Sequence, residues 1–403
     1  MGQYKGIIFN SVTVGALKGE LLEAVRRSHT RTAVVTNHAK TEVRTRLEEQ
    51  GLEVDVIVGG FDLNRYGEVR KPMPDQMFVA VARMELEASE VVVVADCERD
   101  VKAASGAGLA IIRVEDVEKL PQLLCQDVPV REERDFSGFE VPMTGIMGAI
   151  VGDVIGSRYE HHRTTDFNFP LFPPRSHPTD DSIGTLFVAR WLLGDRSHKG
   201  LVRSAVQLGN AYPKAGFSHH FKAWLRSVDH LPYGGVTNGS AMRVSACGWA
   251  AQCLEEALDL ARRSAEISHN SVEGVRGAQA IAACIFLARN GRSKQDIKRY
   301  VEETFGYSLD TSMAEYRALA SHDYTCEFSV PQAICCWLQS ESYEETVRNA
   351  VSLAGDADTA AAISGSIAAA TPGMEIPEEW AKKVWSMMDD RLKGILVDFQ
   401  DSL

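Results

Sequence analysis

The placement of β-branched apolar runs divides this chain in two. Such runs occur at Lys5–Phe9, Thr32–Thr36, Val54–Val58, Val91–Ala95 and Leu109–Arg113, and from Thr144 onward the pattern stops. Between the runs lie amphipathic stretches with helical spacing, near Gly19–Ser28, Lys40–Gln50, Pro74–Glu87 and Glu98–Gly106. Short continuous apolar strands separated by helices imply a parallel sheet covered on both faces. Residues 1–125 are therefore predicted to form a doubly wound α/β domain, with any ligand at the carboxyl ends of its strands.

Beyond Thr144 helical periodicity takes over, at Ser182–Leu193, Leu254–Ile267, Glu273–Asn290, Ser293–Thr304, Val330–Leu338, Tyr343–Ser352, Thr359–Ala370 and Glu378–Leu392. Gly194, Gly291 and Pro372-Gly373 supply stop signals. Residues 144–403 are predicted to be an all-α domain. The intervening 126–143 are polar and charged, carry Pro129, Gly138 and Pro142, and read as a linker.

Composition excludes some functions. With 43 basic and 55 acidic residues the net charge is −12, which argues against nucleic acid as a partner. No positively charged start leads into a long apolar stretch, and no uninterrupted apolar run is long enough to span a bilayer, so a cytoplasmic protein without membrane partners is expected. The eight cysteines form no C-x-x-C pair and mostly sit in apolar segments, as reduced thiols do.

Two clusters carry hard oxygen donors: Thr179-Asp180-Asp181-Ser182, and Gly355-Asp356-Ala357-Asp358-Thr359 before the small-residue run Ala360–Ala370. Carboxylates beside a hydroxyl suit Mg²⁺ or Mn²⁺ rather than zinc. Each cluster alone is equally a helix start, where Asp satisfies free amides and the helix dipole. A glycine-rich segment, Tyr233–Arg243, lies between them, and backbone amides freed by glycine suit a pyrophosphate.

In order, Gly145 to Glu160 (ending Gly156-Ser157-Arg158-Tyr159-Glu160), Thr179–Ser182, Tyr233–Arg243, Ser268-His269-Asn270 and Gly355–Thr359 resemble the ADP-ribosylglycohydrolases of the DraG type over residues 145–395. The resemblance implies a hydrolase that releases ADP-ribose from a protein side chain or small acceptor, through N- or O-glycosidic bond cleavage. It implies two Mg²⁺ (or Mn²⁺) ions held by Thr179, Asp180, Asp181, Asp356, Asp358 and Thr359. Adjacent side chains on a regular helix diverge by about 100°, so Asp180 and Asp181 converge only at an irregular first turn. Asp356 is the first candidate for the base and Asp181 the next, while Glu160 matches a glutamate beside the metals that gates entry. Asn238, Gly239, Ser240, Tyr233 and His269 are the expected substrate contacts, and Arg243 either joins them or braces the loop from behind. Tyr159, Phe167 and Phe169 either stack on adenine or pack in the core. A binding module without turnover is the alternative.

The first 125 residues resemble the haloacid dehalogenase (HAD) superfamily of phosphotransferases, through Thr36-Asn37, Lys71-Pro72-Met73-Pro74 and Ala95-Asp96-Cys97-Glu98-Arg99-Asp100. In that family a hydroxyl and a lysine hold the phosphoryl group and the last acidic motif binds Mg²⁺. The family's D-x-D after the first strand is here Asn10-Ser11-Val12. A neutral amide does not attack phosphorus as a carboxylate does, and Val12 neither gives nor takes a proton. With almost no room for a cap insert, this domain is expected to be a capless, inactive phosphatase fold, the alternative being a working phosphatase.

Overall fold

The computed structural model describes residues 3–63, 70–125, 128 and 134–403. The chain forms two compact units, Met1–Glu133 with Val206–Lys214, and Arg134–Ala205 with Ala215–Leu403.

In the first unit five parallel strands, β1 (Gly6–Phe9), β2 (Arg31–Val35), β3 (Val56–Val58), β4 (Val91–Ala95) and β5 (Ala110–Arg113), lie in the order β3-β2-β1-β4-β5. Successive side chains leave a strand on opposite faces. Ile7 and Phe9 accordingly join one apolar cluster and Ile8 the other, so both faces are buried. The chain winds outward from β1 in both directions, which makes the gap between the ends of β1 and β4 the switch point of the sheet. Asn10 and Asp96 are the first residues beyond those two ends.

The second unit is helical. Its centre is the Ala357–Ala369 helix, buried from Ala357 through Ala368. Against it lies Met147–Gly156, buried along its whole length. Gly148, Gly152 and Gly156 recur every four residues on one face of that helix. A Cβ on Gly152 would stand 2.1 Å from the Ala361 carbonyl oxygen, and one on Gly156 would stand 2.4 Å from Asp358 Cα. The two backbones approach this closely only because one side carries glycines and the other small residues.

One helix was not among those expected, and two expected helices need correction. Met147–Gly156 is a helix although its three glycines speak against one; glycine costs roughly 1 kcal/mol per helical residue, offset here by tertiary packing. Glu378–Leu392 is not continuous: it breaks between Glu378–Trp385 and Asp390–Asp401, where the Asp389 side chain caps a new helix. The helix expected from Val330 begins at Cys326 and carries Pro331 inside it. Of the expected linker, 126–127 and 129–133 lie outside the described residues. Further on, Arg134 pairs with Asp398 at 2.7 Å and Phe136 packs edge-on against Trp385. All eight cysteines are free, and among the described residues no helix is long and apolar enough to cross a membrane.

Candidate active site

The small-residue packing delivers the acids. Gly156 lets Met147–Gly156 press on the first turn of Ala357–Ala369, so Asp153 on the first helix comes close to Asp358 on the second. The Asp180–Leu193 helix adds Asp181, and carboxylate oxygens of Asp153, Asp181 and Asp358 lie within 4.8 Å of one another, all three residues buried. Asp153 organises the turn. Its oxygens accept from Thr179 N (2.8 Å) and Oγ1 (2.6 Å), from Ser182 N (3.1 Å) and from the Ser182 hydroxyl. Thr359 Oγ1 donates to Asp181 Oδ2 at 3.3 Å, and Asp181 Oδ1 is buried with no hydrogen-bond partner among the described residues.

Asp180 and Asp181 diverge, as side chains of consecutive helical residues do. Thr179 is the extended N-cap, Asp181 enters the triad, and Asp180 Oδ1 sits against Gly216, whose positive φ of +118° and missing Cβ leave room for it. Asp180, Asp356 and Glu160 stand outside the triad but within its field. Burial, reinforced by Asp153, Asp356 and Glu160, pushes Asp180 up to about 8. Burial first and neighbouring carboxylates second hold Asp181 and Asp358 well above the ordinary carboxylate range. Burial also raises Asp153, Asp356 and Glu160.

Several buried carboxylates in mutual repulsion, one oxygen without a donor, and two threonine hydroxyls beside them form a set that a hard cation satisfies. A divalent ion therefore fits these residues.

The glycine-rich loop borders the acids through Asn238, whose Nδ2 donates to Asp356 Oδ2 at 2.6 Å. Its other amides are largely committed. Tyr233 N and Gly235 N donate to the Ser268 carbonyl, Gly234 N to Asn270 Oδ1, and Asn238 N to the Tyr324 carbonyl. The His269 ring lies underneath, where a Cβ on Gly235 or Gly239 would come within 2.6 or 2.9 Å of it. Burial, helped by Arg243, pushes His269 down to about 3, so the imidazole is neutral between the Thr237 and Ser268 hydroxyls, with Tyr233 edge-on at 5.5 Å. Arg243 is 2 % exposed, clasps the Ser264 carbonyl and Ser268 Oγ, and stacks between Phe187 and Phe221. Ser240 is fully buried and donates to the Gly274 carbonyl. Thus Ser240, Arg243 and His269 stand behind the loop. Tyr159 and Phe169 are buried edge-to-face at 4.8 Å, a core arrangement, and Phe167 offers its carbonyl to Arg348.

Asp153 is the residue that sequence reading missed. Its signal was a lone carboxylate inside an otherwise apolar, glycine-spaced segment.

At the sheet's switch point the arrangement differs. Asn10 Oδ1 accepts from Val12 N (2.8 Å) and Thr13 N (2.6 Å), which fixes the amide's orientation. Its Nδ2 then donates to Asp96 Oδ1 (2.7 Å) and Asp100 Oδ2 (2.5 Å). Lys71 Nζ donates to Asp100 Oδ1 (2.5 Å) and to the Val35 carbonyl (3.1 Å). Burial would raise Asp100, but Lys71 and Asn10 outweigh it and hold the carboxyl below its ordinary value. Asp96, Cys97 and Asp100 are close enough to surround an ion. However, an amide NH₂ locked between the two carboxylates stands where a cation would bridge them, and it is a donor, not a ligand. These residues do not fit Mg²⁺.

Comparison with known proteins agrees with this division. The family model for ADP-ribosylglycohydrolase matches residues 143–400, and that for haloacid dehalogenase-like hydrolase matches 9–114. The chain is 26% identical over 314 residues to the ADP-ribosylhydrolase ARH3 of Mus musculus, covering 58% of this chain and 85% of that one. It is 26% identical over 223 residues to the ADP-ribosylarginine hydrolase Tri1 of Pseudomonas putida, covering 52% and 58%. A solved ADP-ribosylglycohydrolase-related protein complex superposes at a TM-score of 0.48 with 20% identity, over 64% of this chain and 96% of that chain. Because the first of these models spans more than half of the chain, and takes in the whole stretch from Asp153 to Thr359 that assembles the acids, this chain belongs to the ADP-ribosylglycohydrolase family.

Proposed function

We propose that this chain is a metal-dependent hydrolase that cleaves the N- or O-glycosidic bond joining ADP-ribose to a protein side chain or small acceptor. The observation that carries this reading is the buried triad Asp153, Asp181 and Asp358, with Asp181 Oδ1 left without a donor. Two Mg²⁺ or Mn²⁺ ions would be held by Thr179, Asp180, Asp181, Asp356, Asp358 and Thr359, all hard oxygen donors. When bound, such ions polarise substrate oxygens and acidify water.

The chain's own residues supply the rest. Asn238 donates to Asp356 Oδ2 and so orients that carboxylate toward one side. With its basicity raised by burial, Asp356 suits the role of accepting a proton from the attacking water, and Asp181 is the second candidate. Cleavage passes through an oxocarbenium-like state, which nearby carboxylates stabilise. The Glu160 side chain, 37% exposed, stands at the edge of the cluster and controls approach. Asp153 positions Thr179 and Ser182 and thereby the whole first turn. In the loop, Gly239, Asn238 and Tyr233 face the ligand, while Ser240, Arg243 and His269 give the loop its shape. The first unit is inactive as a phosphatase, since Asn10 replaces the nucleophile and its amide occupies the cation's place.

The test is a panel of arginine-, serine- and O-acetyl-linked ADP-ribose substrates with Mg²⁺ and Mn²⁺. Asp356→Asn is expected to lower kcat at least 100-fold on every substrate that wild type cleaves, a typical contribution of a general base. Hydrolysis indifferent to that substitution would overturn the mechanism.

A further inference from the structure

A cavity of about 490 Å³ is lined by Arg158, Tyr159, His162, Pro173, Pro174 and Arg175. Its walls are two segments that both run into the acid cluster. One continues from Met147–Gly156 through Arg158 and Tyr159 to Glu160. The other passes from Pro173 through His177 and Pro178 to Thr179. They are tied together: His177 N donates to Ser157 Oγ at 3.3 Å, and Tyr159 Oη donates to the Pro170 carbonyl at 2.6 Å.

Two features of its lining bear on what it could hold. Arg46, Arg113, Arg262 and Arg348 each pair with an acid. Arg158 is half-buried and Arg175 exposed, yet neither has a carboxylate partner among the described residues. In addition, Arg175 holds a φ of 74°, in the left-handed region. That conformation costs a non-glycine residue roughly 1–2 kcal/mol, and strain of this kind gathers at binding sites.

We propose that this cavity binds an oxyanion, a phosphate or a carboxylate, carried by the acceptor from which ADP-ribose is removed. The guanidinium fork matches both groups, and His162 adds a further donor. The glycine-rich loop reaches the acids through Asn238 and Asp356, whereas the two segments that line this cavity continue along the chain to Glu160 and Thr179. A substrate with two ends has one approach for each. The inference rests on the hydrolase reading above, and its test separates the two.

The experiment measures fluorescence anisotropy of unmodified acceptor peptides (phosphoserine-containing, glutamate-containing and neutral) with the full chain, together with KM and kcat on their ADP-ribosylated forms. The variants are Arg158→Gln and Arg175→Gly, the latter relieving the strained φ so that thermal stability is kept or raised. Expected are binding of one or both anionic peptides and not of the neutral one, weakening with salt, and a loss of at least fivefold in either variant. KM on the anionic substrate rises to match, with kcat unchanged. Equal binding of neutral and anionic peptides, or variants that bind like wild type, overturns the proposal. So does an equal loss of affinity for free ADP-ribose, which has no acceptor. If no substrate is cleaved but anionic peptides still bind through the arginines, the hydrolase reading fails and the oxyanion site stands.

Discussion

His269 illustrates how a polar side chain shapes a site without entering it. Its ring fills the space that Gly235 and Gly239 leave, and burial keeps it neutral, pushed down to about 3. An unfolded histidine titrates near 6.5. Since the folded value is the lower one, the unfolded chain binds the proton first, so stability is complete above pH 6.5 and falls as pH drops toward 3. The loss is about 1.4 kcal/mol per pH unit, or roughly 2–3 kcal/mol by pH 4.5. Urea unfolding of wild type and His269→Gln across this window is expected to show the flatter slope in the variant. Identical slopes would mean that His269 protonates in the folded state as readily as in the unfolded one. Arg243 works in the same manner, its charge spread between two phenylalanines and two polar acceptors, which explains how a fully buried guanidinium is tolerated.

At the scale of elements, the pair Met147–Gly156 and Ala357–Ala369 determines whether the triad exists. Neither helix has an amphipathic stripe, because both are buried on every side. What fixes their separation is the absence of side chains at Gly148, Gly152 and Gly156. Gly156→Ala would place a methyl 2.4 Å from Asp358 Cα and 2.5 Å from the Ala357 carbonyl oxygen, which forces the helices apart. The expected cost is about 1–3 kcal/mol, with a larger loss of Mn²⁺ affinity because Asp358 moves away from Asp153 and Asp181. Gly194→Ala, whose Cβ would meet nothing nearer than 3.5 Å, is the control and should change stability by under about 0.5 kcal/mol. Denaturation and isothermal titration measure the two effects; a fully stable Gly156→Ala protein with unaltered metal affinity would contradict the account.

At the scale of the molecule, the two units differ in what a divalent ion does for them. In the second, Asp153, Asp181 and Asp358 have no ion-pair partner among the described residues; in the first, Lys71 and the Asn10 amide already satisfy Asp96 and Asp100. Mg²⁺ or Mn²⁺ at about a hundredfold excess over Kd would add roughly 2.7 kcal/mol to the unit that binds it, raising its thermal midpoint by about 5–10 °C. The shift should disappear in Asp358→Asn and persist in Asp100→Asn, and phosphate release from a generic phosphomonoester should be absent in all three proteins. A metal-induced shift lost with Asp100→Asn would place the ion in the first unit instead.

The fold class of each unit was legible from local pattern. Strand runs reappear within two residues of β1–β5, and the α/β and all-α characters both follow from the periodicity of near neighbours, which records which face of an element is apolar. The two acid clusters were visible for a similar reason, since each is a short contiguous stretch at a helix start. What local pattern did not contain is everything that depends on distant chain. Asp153 meets Asp181 and Asp358 because three helix faces converge; Met147–Gly156 is helical because a partner of small residues compensates its glycines; and Ser240, Arg243 and His269 lie behind the loop because Ser264–Gly274 is there to receive them. Burial of a polar side chain is decided by partners remote in sequence, so only the tertiary structure assigned these residues their places.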